Sequence, residues 1–77
     1  MVTLKRLQTI MPLKGADGDT LGRLRAACTP RLGGSQLIQQ GDEGGVLWYN
    51  SKAVAVRFDK SPNSHVVCYL HEVQEIP

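Results

Sequence analysis

The sequence predicts a small α+β domain, a strongly bent antiparallel sheet with one short helix packed on it. Three observations carry that prediction. The stretch from Gly44 to Ile76 reads as three β-rich segments, broken at Asn50-Ser51 and from Asp59 to Ser64. Its middle segment, Ala53 to Phe58, is apolar on both alternating sets of positions, so both faces of that strand need a cover. Ahead of it, residues 20–28 carry one short helical stripe.

Seventy-seven residues make a single small domain, 1–77. A core of that size leaves a net stability of roughly 3–5 kcal/mol, so a staple or a partner chain is a natural supplement. With 42% hydrophobic and 21% charged residues, neither a disordered chain nor a membrane span is indicated. The opening residues MVTLKRLQTIMPL lack the apolar core of a secretory signal, which points to the cytoplasm. In that reducing setting Cys28 and Cys68 are expected as free, buried thiols behaving as small hydrophobes.

Element by element, residues 2–11 fit two descriptions. Leu4, Leu7, Ile10 and Met11 make a helical stripe with Thr3 as its cap, while the abundance of Val, Thr and Ile favours a strand. The strand is the preferred reading, and Pro12 ends either element. Leu13 to Asp19 is a turn-rich connection. For the helix over 20–28, Asp19 or Thr20 caps, Leu21, Leu24 and Cys28 form the stripe, and Pro30 with Gly33-Gly34 stops it. Gly41 to Gly45 reads as a plain loop, since it lacks the Lys and Ser/Thr of a phosphate-binding loop and holds Asp42 and Glu43.

The clearest sheet region is 44–76. A two-residue turn at Asn50-Ser51 sets Leu47 opposite Val54, and a six-residue loop sets Val56 opposite Val67. One face then holds Leu47, Tyr49, Val54, Val56, Phe58, His65, Val67 and Tyr69. The other holds Val46, Trp48, Ala53, Ala55, Arg57, Val66, Cys68 and Leu70. The low Ala53/Ala55 face suits a close-packed helix, and Leu21, Leu24 and Cys28 are its expected contacts. The bulkier face is expected to close over the N-terminal segment and Leu37-Ile38.

The chemistry-bearing residues are few. His65, Cys68 and His71 form H-x-x-C-x-x-H, but on a strand Cys68 faces away from both histidines, so no metal and no cofactor is expected. No base is placed beside Cys28, Cys68, Ser61 or Ser64, so an enzyme is not expected. Charge is split along the chain. Residues 1–31 hold Lys5, Arg6, Lys14, Arg23, Arg25 and Arg31 against Asp17 and Asp19, whereas 32–77 hold three bases against five acids. If the helix leaves Trp48 uncovered, Trp48 beside two alanines and Arg57 makes a flat aromatic platform, with Tyr49 and Tyr69 as further aromatic candidates.

The segment AVAVRFDKSPNSHVVCYLHEVQEI resembles the closing strands of SH3-like small barrels. VAVRFDK (Val54 to Lys60) followed by LHEVQEI (Leu70 to Ile76) is similar to the end of photosystem I reaction-centre subunit IV. KOW-type domains and type II dihydrofolate reductases share such a finish, although the V-Q-I-Y strand of the reductases would fall on Val66, Val67, Cys68 and Tyr69, without its glutamine. Residues 13–34 have no counterpart in those barrels. The resemblance implies SH3-like character in the sheet and brings no functional residues with it. The expected function is a non-catalytic interaction module that binds a protein partner through Trp48, Arg57, Tyr49 and Tyr69, with a homodimer as one form. The alternative is nucleic-acid binding through Lys5, Arg6, Arg23, Arg25 and Arg31.

Overall fold

The computed structural model describes residues 1–12, 20–32 and 37–77. They form helix α1 (Leu4–Ile10) and strands β1 (Arg23–Ala26), β2 (Glu43–Tyr49), β3 (Ala53–Phe58), β4 (Val66–Tyr69) and β5 (Val73–Glu75). A single 3-10 turn, Leu70–Glu72, links β4 to β5. The sheet runs in the order β4-β3-β2-β1-β5, every neighbouring pair is antiparallel, and it does not close on itself. Among the described residues no helix is long and apolar enough to cross a membrane. The expected connection 13–19 and the Gly33-Gly34 stop lie outside the described residues.

The N-terminal segment is a helix rather than the preferred strand. Thr3 caps it, its Oγ1 accepting from the Arg6 backbone N–H at 3.2 Å. Leu7 is fully buried and Leu4 and Ile10 pack beside it, so the stripe at helical spacing prevails over β propensity. The Met11 N–H still reaches Leu7 O at 2.8 Å, and Pro12, with no N–H to give, ends the turn.

The helix expected over 20–28 is absent, and its centre is β1. Leu24 and Ala26 are fully buried, while Arg23 is exposed and Arg25 half-buried, the period of two that a strand requires. β1 pairs with β2 on one side and with β5 on the other. These two ladders satisfy its backbone and outweigh the weak stripe of Leu21, Leu24 and Cys28. Gly22 leaves room for Met11, since a Cβ there would lie 2.9 Å from the Met11 side chain. Cys28 is exposed, not buried as expected, whereas Cys68 is buried, and both thiols are free.

Both sheet turns shift by one residue from expectation. The β2–β3 turn centres on Ser51-Lys52, because Asn50 donates its N–H to Ala53 O and accepts on Oδ1 from the N–H groups of Lys52 and Ala53. In the β3–β4 pair, Val56 faces Val66 and Val54 faces Cys68. This places Val66 and Cys68 on the core side and Val67 and Tyr69 on the side of Ala53 and Ala55. A bulge at Leu47 adds a further change: Val46 faces Val56 and Tyr49 faces Val54, both towards the core, while Trp48 faces Ala55 on the other side.

The expected two-sided burial of β3 holds, with Arg57 as its exposed member. The core joins Val2, Leu7, Met11 and Ile38 to Val46, Tyr49, Val54, Val56, Phe58 and Cys68. The N-terminal segment and Ile38 therefore cover the bulkier face, as expected, whereas Leu37, expected beside Ile38, is exposed. The helix lies on that face, and Ala53 and Ala55 take no part in this core cluster.

Candidate functional site

The two aromatic residues Trp48 and Tyr49 are adjacent in sequence and opposite in fate. Tyr49 is buried, and its hydroxyl donates to Met11 O at 2.8 Å. It serves packing, with no surface left to offer a ligand. Trp48 is 41% exposed and Tyr69 40%, both large for aromatic side chains in so small a domain. The bulge at Leu47 turns Trp48 outward, and the shifted β3–β4 register brings Tyr69 to the same side.

That outer face is built in cross-strand rows. Trp48, Ala55 and Val67 form one row across β2, β3 and β4, and Ala53 with Tyr69 forms the next. Arg57 stands exposed in the row towards Gly45. Ala55 is fully buried and Ala53 nearly so, so the accessible surface belongs to Trp48, Tyr69 and the half-buried Val67 around them. Of the four residues singled out from the sequence, the fold brings Trp48, Arg57 and Tyr69 together on this face and removes Tyr49 from it.

Beyond Tyr69 the face runs into a cleft. It lies where the N-terminal segment, the β2–β3 turn and the 3-10 turn meet, and its volume is about 350 Å³. Val2, Leu4, Lys52, Tyr69, Leu70 and His71 are among its lining residues. The Tyr69 and His71 rings stack at 5.5 Å with planes 9° apart. No signal in the sequence marked Lys52 or His71 for this place, because their approach to the N-terminal segment depends on the tertiary fold.

Charge is distributed differently from the sequence split. Arg6 donates to Glu75 at 2.9 Å, Arg25 to Glu43 at 3.0 Å, and Arg23 grips Asp59 with both guanidinium nitrogens, one of them at 3.2 Å. Each of these pairs joins a base of the N-terminal half to an acid of the C-terminal half. Lys60 pairs with Asp42 at 2.9 Å. The bond to Arg6 lowers the Glu75 pKa, and the Gln39 backbone N–H, followed by Lys60, lowers that of Asp42. Of the five bases named for nucleic acid, only Lys5 and Arg31 lie outside ion pairs among the described residues.

His65, Cys68 and His71 do not gather. Cys68 points into the core with Sγ 3.7 Å from Val66 O, and burial, aided by the charge of Glu72, pushes its thiol pKa up to about 12. His71 faces the cleft, and His65 is exposed at the end of the β3–β4 loop. Among the described residues no group of three His, Cys, Asp or Glu side chains comes close enough to hold a metal ion.

The chain matches no protein-family model, and no curated protein or solved structure matches it.

Proposed function

We propose that this chain is a non-catalytic interaction module of SH3-like character that binds a protein partner through the face bearing Trp48, Tyr69 and Arg57. One observation carries the reading: a tryptophan is turned out of a small sheet by a bulge, onto a face whose middle is filled by alanines. Exposed Trp and Tyr beside Arg are the residue types that dominate binding energy at protein interfaces. For the SH3-like character, support comes from the strand order, in which β5 returns to pair with β1 after a 3-10 turn. The two free thiols favour a reducing compartment such as the cytoplasm.

The test is affinity capture from the source organism with the wild-type chain and with Trp48→Ser. A specific protein retained by the first and lost by the second, and then rebuilt as a complex from purified components, is the expected outcome. Equal retention by both would sink the reading. If the partner is a second copy, light scattering will show a dimer that Trp48→Ser converts to monomer. Nucleic-acid binding is the second reading, and it has lost ground because Arg6, Arg23 and Arg25 are held by carboxylates. It requires retention on heparin that falls steeply with salt.

A further inference from the structure

We infer that strand β4 is an association edge, and that a second copy of this chain pairs with it, antiparallel, about a two-fold axis at Val67. The pairing lies beyond the Trp48 face and does not rest on the docking role proposed for that face.

The direction of the backbone groups on β4 comes first. β4 and β5 are the two outer strands of the sheet. Ala53 O accepts from the Asn50 N–H, so the backbone of Ala53 turns towards β2 and Ala53–Tyr69 is a non-hydrogen-bonded pair. The Tyr69 N–H accordingly leaves the ladder and donates to Glu72 Oε1 at 2.8 Å. By the same alternation Val67 is the non-hydrogen-bonded partner of Ala55, and its N–H and C=O point away from the sheet. Neither group meets a hydrogen-bond partner among the described residues.

The two edges differ in protection. β5 is three residues long and ends on Glu75, whose carboxylate is held by Arg6 of α1. A short, charged edge of that kind resists pairing. β4, Val-Val-Cys-Tyr, holds no charge, no proline and no bulge, and it is rich in residues that favour strands. The N-terminal segment meets the chain past the end of β4, where the Val2 N–H reaches Leu70 O at 3.3 Å.

The strand that fits this edge is β4 itself. With Val67 on the axis, the two Val67 residues exchange N–H···O bonds, and His65 stands opposite Tyr69 of the second copy. The row Trp48, Ala55, Val67 then continues into Val67, Ala55 and Trp48 of that copy as one apolar row. Pairing with β5 instead is head-to-tail, sets Glu75 and Arg6 against an apolar strand, and builds rings or filaments. His65 to Tyr69 spans about 14 Å at about 3.4 Å per residue. An edge of that length falls short of the roughly 800 Å² per partner of a stable dimer, so the association is weak.

The experiment is sedimentation equilibrium of the full chain from about 10 µM to about 1 mM, where a weak dimer forms. A rise from monomer to dimer, and no further, is expected. Val67→Lys and Val67→Glu are each expected to stay monomeric, because the axis sets each charge against its own copy. Mixed in equal amounts they are expected to recover the dimer, since unlike charges then meet. In the wild-type chain the Val67 amide is expected to exchange with solvent more slowly as concentration rises. The Tyr69 amide, already bonded to Glu72, is expected not to change. These wild-type readings decide the matter even where a charged variant fails to fold. No rise in mass up to about 1 mM overturns the inference. So does a mass beyond the dimer, a Val67 amide indifferent to concentration, or a mixture of folded variants that stays monomeric. A dimer that Trp48→Ser breaks and Val67→Lys leaves intact places the contact on the Trp48 face and also overturns it. Trp48-dependent capture of a different protein is read in a separate assay and survives each of these failures.

Discussion

The carboxylate of Glu72 holds the backbone of Arg31 across 41 residues of chain: its Oε2 accepts the Arg31 N–H at 2.9 Å. Its Oε1 accepts the Tyr69 N–H at 2.8 Å, and the Glu72 carbonyl accepts from Ala27 at 2.8 Å. One buried acid thus ties the segment after β1 to the turn between β4 and β5. That turn carries Leu70 and His71 into the cleft, so the tie also sets the shape of the cleft.

Removing the tie is predicted to destabilise the fold. Glu72→Ala takes the acceptor from two part-buried N–H groups, at a cost of at most about 1–3 kcal/mol for each group left unpaired. Glu72→Gln keeps the shape but offers one acceptor oxygen in place of two, and it is expected to fall between wild type and alanine. Urea unfolding followed by circular dichroism checks the order. Equal stability of all three chains would show that the carboxylate is dispensable.

The contrast between Trp48 and Tyr49 gives a second prediction. Tyr49→Ala removes a buried ring and is expected to cost about 3–5 kcal/mol, comparable to the whole stability of so small a domain. Tyr49→Phe loses only the bond to Met11 O, about 1 kcal/mol. Trp48→Ser, on the outer face, is expected to change stability by less than about 0.5 kcal/mol while abolishing partner capture. A Trp48→Ser chain that unfolds would place this ring in the core.

Much of this arrangement was legible in the residues, and the exceptions have physical causes. Strand β3 declares itself through an apolar run too short for a helix and bounded by turn residues. Burial of both alternating sets of its positions followed at once, as did the cover of the bulkier face by the N-terminal segment and Ile38, whereas the helix expected over Ala53 and Ala55 is absent. β1 was hidden because four residues, RLRA, hold too little alternation to compete with a three-and-four spacing of Leu21, Leu24 and Cys28. For α1 the error ran the other way, since Val2, Thr3, Thr9 and Ile10 carry β propensity while Thr3 is in fact a cap. That Trp48 shares a face with Ala53, Ala55 and Arg57 was legible, whereas the bulge at Leu47, which sends Val46 to the opposite face, leaves no mark in the spacing of apolar residues around it. Nor does separation in sequence reveal that Arg6, Arg23 and Arg25 will each meet an acid.

Gly44 offers a sharp test of the β2–β3 pairing. A Cβ there would lie 2.3 Å from Arg57 O and 2.6 Å from Phe58 Cα, both backbone atoms that cannot swing aside. Gly44→Ala is therefore predicted to force the strands apart and to destabilise the domain by more than about 2 kcal/mol, well beyond an ordinary surface change. Gly41→Ala meets no neighbour but must hold a φ of 96°, so its smaller penalty comes from the backbone alone. Thermal melting of the two variants is expected to rank Gly44→Ala as the less stable, and the opposite order would refute the close approach.

The thiols differ enough to be counted. Cys28 is exposed, whereas Cys68 is buried and its thiol, pushed up to about 12, stays protonated at neutral pH. An aromatic disulfide reagent at pH 8 is predicted to modify one thiol per native chain quickly and the second only in denaturant. Two fast thiols would mean that the β3–β4 pair opens readily. The same shift has a consequence at high pH. A thiol with a raised folded pKa contributes stability below its unfolded value near 8.5 and loses it as pH climbs towards 12. Cys68→Ala should flatten that alkaline decline.

At low pH the sign reverses. Asp42 and Glu75 have folded pKa values lowered by the Gln39 N–H and by Arg6, so they bind protons less readily than in the unfolded chain. Their contribution is complete above their unfolded values near 4 and is lost as pH falls through the lower folded values. Stability is thus predicted to drop as pH falls below about 4. Glu75→Gln with Arg6→Gln should shrink the acid-sensitive part without changing the alkaline part. The two positions lie on β5 and α1, so the change reports on the contact between helix and sheet edge. Urea midpoints measured from pH 2 to 7 give the answer, and an identical acid limb in the double variant would show that the Arg6–Glu75 pair does not form in solution.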